Sequence, residues 1–269
     1  MLAPSKINLF LHITGRRSDG YHEIETLFYP LRTPADTVTL RQTGTGKIIL
    51  RTACADLPTD SRNLCVKALL AFCRAAGIMP EGFEITLKKT IPVAAGMGGG
   101  SSDAAAVLLR LQELYPERIA AEKLAEIALA IGADVPYFLN PVPAVASGIG
   151  EKLTELEGMP EDLPILIDAP CFPVSAKWAY QHRIAGPPPA PGQLAELIEK
   201  LRARDFAAAA DLLHNDLEDA VFQKFPILEK RKADLLSAGA CRVLMTGSGP
   251  TLFAMFESFP ARDRAAQLQ

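Results

Sequence analysis

The run Pro92-Val93-Ala94-Ala95-Gly96-Met97-Gly98-Gly99-Gly100-Ser101-Ser102-Asp103 constrains this chain more than any other stretch. Four of the five residues from Gly96 to Gly100 are glycine. Glycine loses more conformational freedom on ordering than any other residue, so a plain turn is a poor explanation for so many together. The run lies between a strand signal, Phe83 to Lys88, and a helical pattern from about Ser102 to Leu114 that Tyr115-Pro116 ends. Bare backbone entering a helix gathers N–H groups at the positive end of the helix dipole, which makes an anion site suited to phosphate. The dipole supplies only about 0.3–1 kcal/mol per charge, so charge-assisted N–H bonds do most of the holding. A dinucleotide fingerprint begun at Gly96 needs glycine at 101, where serine stands, and the P-loop lysine is absent. Ser101 and Ser102 read as one helix N-cap and one hydroxyl left for phosphate or metal.

Around this run the chain alternates between strand and helix signals. From Lys6 to Thr14 the period is two, with Ile7, Leu9, Leu11 and Ile13 on one face of a half-buried strand and Lys6, Asn8, Phe10 and His12 on the other. Asp36 to Gln42 and Lys47 to Arg51 read as a hairpin joined through Gly44-Thr45-Gly46. Asn63 to Ala76 has helical spacing and stops at Gly77, and Ala121 to Ile131 stops at Gly132. Asp134 then stands just past a helix and before Val135-Pro136, where proline disfavours further helix. It suits either a turn hydrogen-bonded to its own backbone or a catalytic carboxylate.

After Gly148-Ile149-Gly150 a fresh pattern begins with a strand at Pro164 to Asp168. Helices follow near Leu194 to Arg204, Phe206 to Leu213 and Ile227 to Ser237, with a proline-rich linker from Gly186 to Gly192 before them. Strands Arg242 to Met245 and Thr251 to Phe256 flank Gly247-Ser248-Gly249-Pro250. The expectation is an α+β chain of two domains, residues 1–151 and 152–269. The last residues, Ala265 to Gln269, leave little room for a final helix.

Composition excludes several partners. Twenty-eight basic residues stand against 31 acidic ones, and a formal charge of −3 gives no global field for nucleic acid or an anionic membrane. No stretch approaches the roughly 20 apolar residues that span a bilayer, and Ile7 to Ile13 is too short and polar for a signal peptide. The five cysteines lack C-x-x-C spacing, so they read as reduced, mostly buried thiols of a cytoplasmic protein. His12, His182 and His214 read as surface histidines.

With three further segments, the glycine run resembles the GHMP kinases. The residues from Pro92 to Ala105 are similar to that family's second motif. Pro4-Ser5-Lys6-Ile7-Asn8-Leu9, Gly132-Ala133-Asp134-Val135-Pro136-Tyr137-Phe138 and Gly247-Ser248-Gly249-Pro250-Thr251 match in order, over nearly the whole chain. The resemblance implies an N-terminal domain like domain 2 of ribosomal protein S5 and a ferredoxin-like C-terminal domain, with the active site in the cleft between them. It implies that Pro92 to Ser102 wrap the ATP triphosphate, that Mg2+ accompanies ATP with no ligand assigned, and that Lys6 and Asp134 are catalytic. It also makes Asn8 a substrate contact and puts Asn63 and Lys89 near the adenosine. Phosphoryl transfer needs positioning and charge stabilisation more than covalent help, so a cradle, a cation and a group that orients the alcohol suffice. Met97 stands where leucine is usual, a volume-conserving swap, and Ala94 and Ala95 replace residues often glycine, which stiffens the loop entrance.

Ser18 to Phe28 is similar to the segment by which one branch of that family holds cytosine. There the acceptor is a methylerythritol linked to cytidine diphosphate, and ATP phosphorylates its 2-hydroxyl. By this resemblance Tyr21 and His22 grip the base and a second aromatic stacks on it. Tyr180 is the better aligned for that role and Trp178 the alternative. Stacking is worth about 1–3 kcal/mol per base. The implied partners are ATP and a small molecule, with no nucleic acid, no membrane and a monomer or weak homodimer. A homoserine or mevalonate type of kinase would lack the Tyr21-His22 grip. A silent nucleotide-binding protein would have no use for both Lys6 and Asp134.

Overall fold

A computed structural model describes residues 1–44, 46–80 and 82–267. In chain order they form β1 (Leu2–Arg16), β2 (His22–Gln42), β3 (Ile49–Thr52), α1 (Leu64–Ala76), β4 (Phe83–Lys88), α2 (Gly99–Leu114) and α3 (Ala121–Ile131). A single 3-10 turn, Pro136–Leu139, precedes β5 (Ala144–Ser147), β6 (Lys152–Glu155), β7 (Ile165–Asp168) and α4 (Ala176–Gln181). Then come α5 (Gln193–Arg202), α6 (Phe206–Asp211), β8 (His214–Asn215), α7 (Glu218–Lys224), α8 (Ile227–Ser237), β9 (Arg242–Met245), β10 (Leu252–Met255) and α9 (Phe259–Ala266). The content is α+β. Two compact units share β1 and β2 and do not meet at a single cut in the sequence.

The first unit comprises Met1–Lys6, Pro30–Val93 and Gly98–Val142. In it β4 lies between β2 and β3, antiparallel to β2 with Thr37 opposite Lys88 and parallel to β3 with Ile49 opposite Glu84. The expected hairpin from Asp36–Gln42 to Lys47–Arg51 is therefore corrected, because β4 separates its two arms; Thr45 of its turn lies outside the described residues. Helix α1 packs on α2 and α3, burying Leu69, Phe72 and Leu108. Asn63 caps α1, its side chain accepting from Cys65 N–H, and Gly77 ends the helix with φ +66°.

The second unit comprises Ile7–Tyr29, Ala94–Met97 and Pro143–Gln269. Here β1 runs between β2 and the short parallel β8, and β5 pairs with β2 and β6. A second, antiparallel sheet has the order β7-β10-β9. Its core gathers Leu11, Ile13, Val221, Leu235, Met245, Leu252 and Phe256, all buried.

Three further expectations change. Strand β1 is not half-buried: Phe10 is as buried as Leu9 and Leu11. The end of the chain does hold a helix, α9, started by Ser258, whose hydroxyl accepts from Ala261 N–H, with a proline in the first turn; Leu268 and Gln269 lie outside the described residues. Only Cys65 and Cys73 of the five cysteines are buried, and all are free thiols. Among the described residues no helix is long and apolar enough to cross a membrane.

Candidate functional site

Helix α2 opens without a side-chain cap. Its N-cap is Gly98, in the left-handed region at φ +73°, and no acidic residue stands in its first turn. Ser101 and Ser102 lie inside the helix, so the expectation that one of them is the N-cap is corrected. The helix begins earlier than Ser102 because glycine takes the left-handed cap position at no steric cost. The leading amides of α2 are thereby left open to an anion. Ser102 is buried and its hydroxyl has no hydrogen-bond partner among the described residues.

Close packing explains the glycines. A Cβ on Gly98 would stand 2.7 Å from the Phe138 ring and 3.3 Å from Lys6 Cε. One on Gly99 would meet Ile91 Cγ2 at 2.9 Å and Lys89 Nζ at 3.2 Å. Lys6 thus runs along the N-cap of α2, and its ammonium lies 3.7 Å from Asp134 Oδ2. Lys6 is buried whereas the Asp134 side chain is about one-third exposed. Burial pushes the Lys6 pKa down, and the Asp134 charge works against that fall. Asp134 follows the end of α3 and precedes the 3-10 turn begun by Pro136. Val135, before that proline, takes helical angles (φ −64°, ψ −41°) rather than the extended ones expected there.

Lys89 binds Asp36 and Asp103, the latter at 2.7 Å. Asp36 is fully buried and also accepts from the N–H groups of Thr90 and Ile91 at 2.5 and 2.9 Å. Burial opposes the Lys89 charge, but Asp103 and Asp36 outweigh it and hold its pKa above the usual value. Burial and the neighbouring Asp36 push Asp103 up to about 7, against the pull of Lys89. Between about pH 4 and 7 the folded chain thus holds a proton on Asp103 that the unfolded chain releases, so this group favours folding less as pH rises.

In the second unit, Ala94 has φ +52°, a left-handed conformation that costs a residue with a side chain about 1–2 kcal/mol; its carbonyl accepts from Val174 N–H at 3.1 Å. Gly96 faces the Thr246 carbonyl and Gly249. Asn8 is buried, its side-chain nitrogen donating to Thr26 Oγ1 at 2.8 Å while Thr246 Oγ1 accepts from its backbone N–H at 2.9 Å. The Gly247 turn is held by Asn215, whose side chain donates to the carbonyls of Met245 and Gly247 at 2.6 and 2.9 Å. His22 stacks on Tyr180, with ring centroids 5.3 Å apart and planes 27° apart, and Tyr21 beside it is exposed. Trp178 packs instead on His182 at 4.5 Å, under the ammonium of Lys224 at 3.8 Å. Tyr180, not Trp178, therefore faces the Tyr21-His22 segment.

Sequence reading missed a cluster around Asp216. Its carboxylate takes His12 Nδ1 at 3.0 Å, Ile13 N–H at 2.7 Å, Arg183 at 3.0 Å and His214 Nε2 at 2.7 Å. His12 and His214 are thus largely enclosed, not surface residues as expected; the alternation His214-Asn215-Asp216 was the available signal. Burial opposes the Asp216 charge, but the His214 and Ile13 hydrogen bonds with the Arg183 charge outweigh it and draw the pKa down to about 2. A depressed folded pKa stabilises the fold above the unfolded value near 4, and that stability is lost as pH falls from there toward 2. Asp216→Asn is expected to cost about 2 kcal/mol at pH 7 and to flatten the acid side of the stability profile, as read by denaturant unfolding at a series of pH values.

A glycine-opened helix thus stands beside a buried lysine and its aspartate. Residues 63–140 match the model of the GHMP kinases N terminal domain and residues 197–267 that of the GHMP kinases C terminal. The chain belongs to the GHMP kinases. A 4-diphosphocytidyl-2-C-methyl-D-erythritol kinase from Syntrophotalea carbinolica is 38% identical over 99% of this chain and 92% of its own length. One from Lachnoclostridium phytofermentans is 37% identical over 98% and 89%. The crystal structure of a 4-(cytidine 5'-diphospho)-2C-methyl-D-erythritol kinase superposes with a TM-score of 0.80 at 36% identity, over 100% of this chain and 94% of that one. Within the GHMP kinases the chain therefore groups with the 4-diphosphocytidyl-2-C-methyl-D-erythritol kinases. A homoserine kinase from Cytophaga hutchinsonii, at 20% identity and a TM-score of 0.76, shares the fold.

Proposed function

We infer that this chain transfers the γ-phosphoryl group of ATP to the 2-hydroxyl of 4-diphosphocytidyl-2-C-methyl-D-erythritol, in the cytoplasm, as a step of isoprenoid precursor synthesis. The observation that carries the chemistry is the Lys6–Asp134 pair set against Gly98, the N-cap of α2. Residues Pro92 to Ser102 hold the ATP phosphates through backbone N–H groups, and the open amides of α2 supply the positive end. Asp134 accepts a hydrogen bond from the acceptor hydroxyl and keeps its oxygen in line. A carboxylate is a weak base for an alcohol, so the proton moves late, as the new P–O bond forms. Lys6 offsets the charge that builds on the transferring group.

Mg2+ fits the buried Ser102 hydroxyl and the unpartnered Asp103 Oδ1, hard oxygen donors at the start of α2. Bound there with ATP, the ion would neutralise phosphate charge. The stacked His22 and Tyr180, with exposed Tyr21, support cytosine as the handle of the acceptor. Asn8, fixed by Thr26 and Thr246, serves the acceptor by holding the strand beyond Lys6 in register.

A panel of alcohols offered with ATP tests the acceptor. The cytidylated diphosphate is expected to be turned over with homoserine and mevalonate left untouched; preference for either of those would overturn the assignment.

A further inference from the structure

We propose that Arg16 and Arg183 form a receptor for the diphosphate that links the acceptor's base to its polyol. This rests on the acceptor reading above and extends it to groups that no resemblance singled out. Arg183 follows α4 three residues after Tyr180, the ring stacked on His22. One arm of its guanidinium is tied to Asp216 at 3.0 Å, while its Nε–H is buried with no acceptor among the described residues. Leaving a buried charged donor without an acceptor is costly, so the site is built for an acceptor that arrives with a ligand. Asp216 is itself fixed by Ile13, His12 and His214, which keeps the Arg183 fork from swinging away.

Arg16 ends β1, three residues past Ile13, and is exposed. Its neighbour Arg17 is spoken for by Asp19 and Glu23. The N–H of that neighbour donates to the Tyr21 carbonyl at 2.8 Å, which sets Arg16 at the end of β1 across from His22 at the start of β2. The charges of both arginines reach His22 and, with burial first, push its pKa down. The imidazole is then uncharged at neutral pH, able to donate and accept toward a pyrimidine edge. A base gripped by Tyr21 and His22 therefore sits beside two cations whose planar forks match phosphate oxygens.

Calorimetric titration with cytidine and with cytidine diphosphate, the ATP loop saturated by a non-hydrolysable ATP analogue, tests the assignment. In the parent chain the diphosphate should bind more tightly than the nucleoside. Arg16→Met and Arg183→Met should each shrink that ratio about tenfold, with cytidine affinity unmoved. Arg183→Lys should keep part of it. Turnover should show KM for the acceptor rising with kcat held. A ratio as large in both methionine variants as in the parent overturns the proposal, as does a parent that binds the two ligands equally. Should Arg183→Met lose cytidine as well, its fold has suffered, and the exposed Arg16→Met alone decides. A parent that fails to phosphorylate the cytidylated alcohol sinks the acceptor reading itself, a result separate from these ratios.

Discussion

Asp134→Ala is expected to lower kcat by at least about 100-fold while leaving ATP binding intact. In the function proposed above the carboxylate aims the hydroxyl, while Gly98, the N-cap of α2, lies against Phe138 and the stem of Lys6. Loss of the charge has a second effect. Burial already pushes the Lys6 pKa down and Asp134 resists that push, so without it the ammonium loses its proton more readily. Residual activity should therefore fade at a lower pH than in the parent as pH rises. Asp134→Asn keeps the volume and should lose the same activity, which separates charge from packing. Initial rates across a pH series, with ATP affinity measured in parallel, check both points. Unchanged turnover in either variant would remove Asp134 from the chemistry.

Gly96→Ala should be the most damaging small change in the loop. At φ +78° any side chain costs about 1–2 kcal/mol. The new Cβ would also fall 2.9 Å from Gly249 N and closer still to the Thr246 carbonyl, and these are backbone atoms that cannot rotate aside. Overpacking adds about 1–3 kcal/mol, for a total near 2–5 kcal/mol against a typical stability of about 5–15 kcal/mol. Gly192→Ala is the control: φ is +81° there, with nothing within 4 Å of the added carbon, so only the conformational cost applies. Denaturant midpoints of the two variants give the comparison. Equal midpoints would show that the Gly96 contact is slack and that the loop does not press on the Thr246 to Gly249 turn.

Much of the molecule was legible from local signals. Asn63 and Gly77 bracket α1 because one has a side chain that caps and the other accepts a left-handed angle. Helices α3 and α8 and strand β9 begin and end where periodicity puts them. What escaped depends on partners distant in sequence. Pro30 and Pro34 hide the length of β2, and the insertion of β4 beside β3 cannot be seen from either strand alone. The site divides in the same way. The glycine run, Lys6 and Asp134 were visible as motifs, whereas Lys89 with Asp36 and Asp103, and Arg183 with Asp216, are pairings of ordinary charged residues that only the fold brings together.

Asp36 has one more implication. The segment that launches the glycine-rich loop hangs, at Thr90 and Ile91, from a carboxylate more than 50 positions earlier in the chain. That anchorage cannot exist until β2 and β4 have paired, a long-range closure. With ATP held at the loop as proposed, the nucleotide would bind the native state and not the unpaired chain, and would stabilise the fold by mass action.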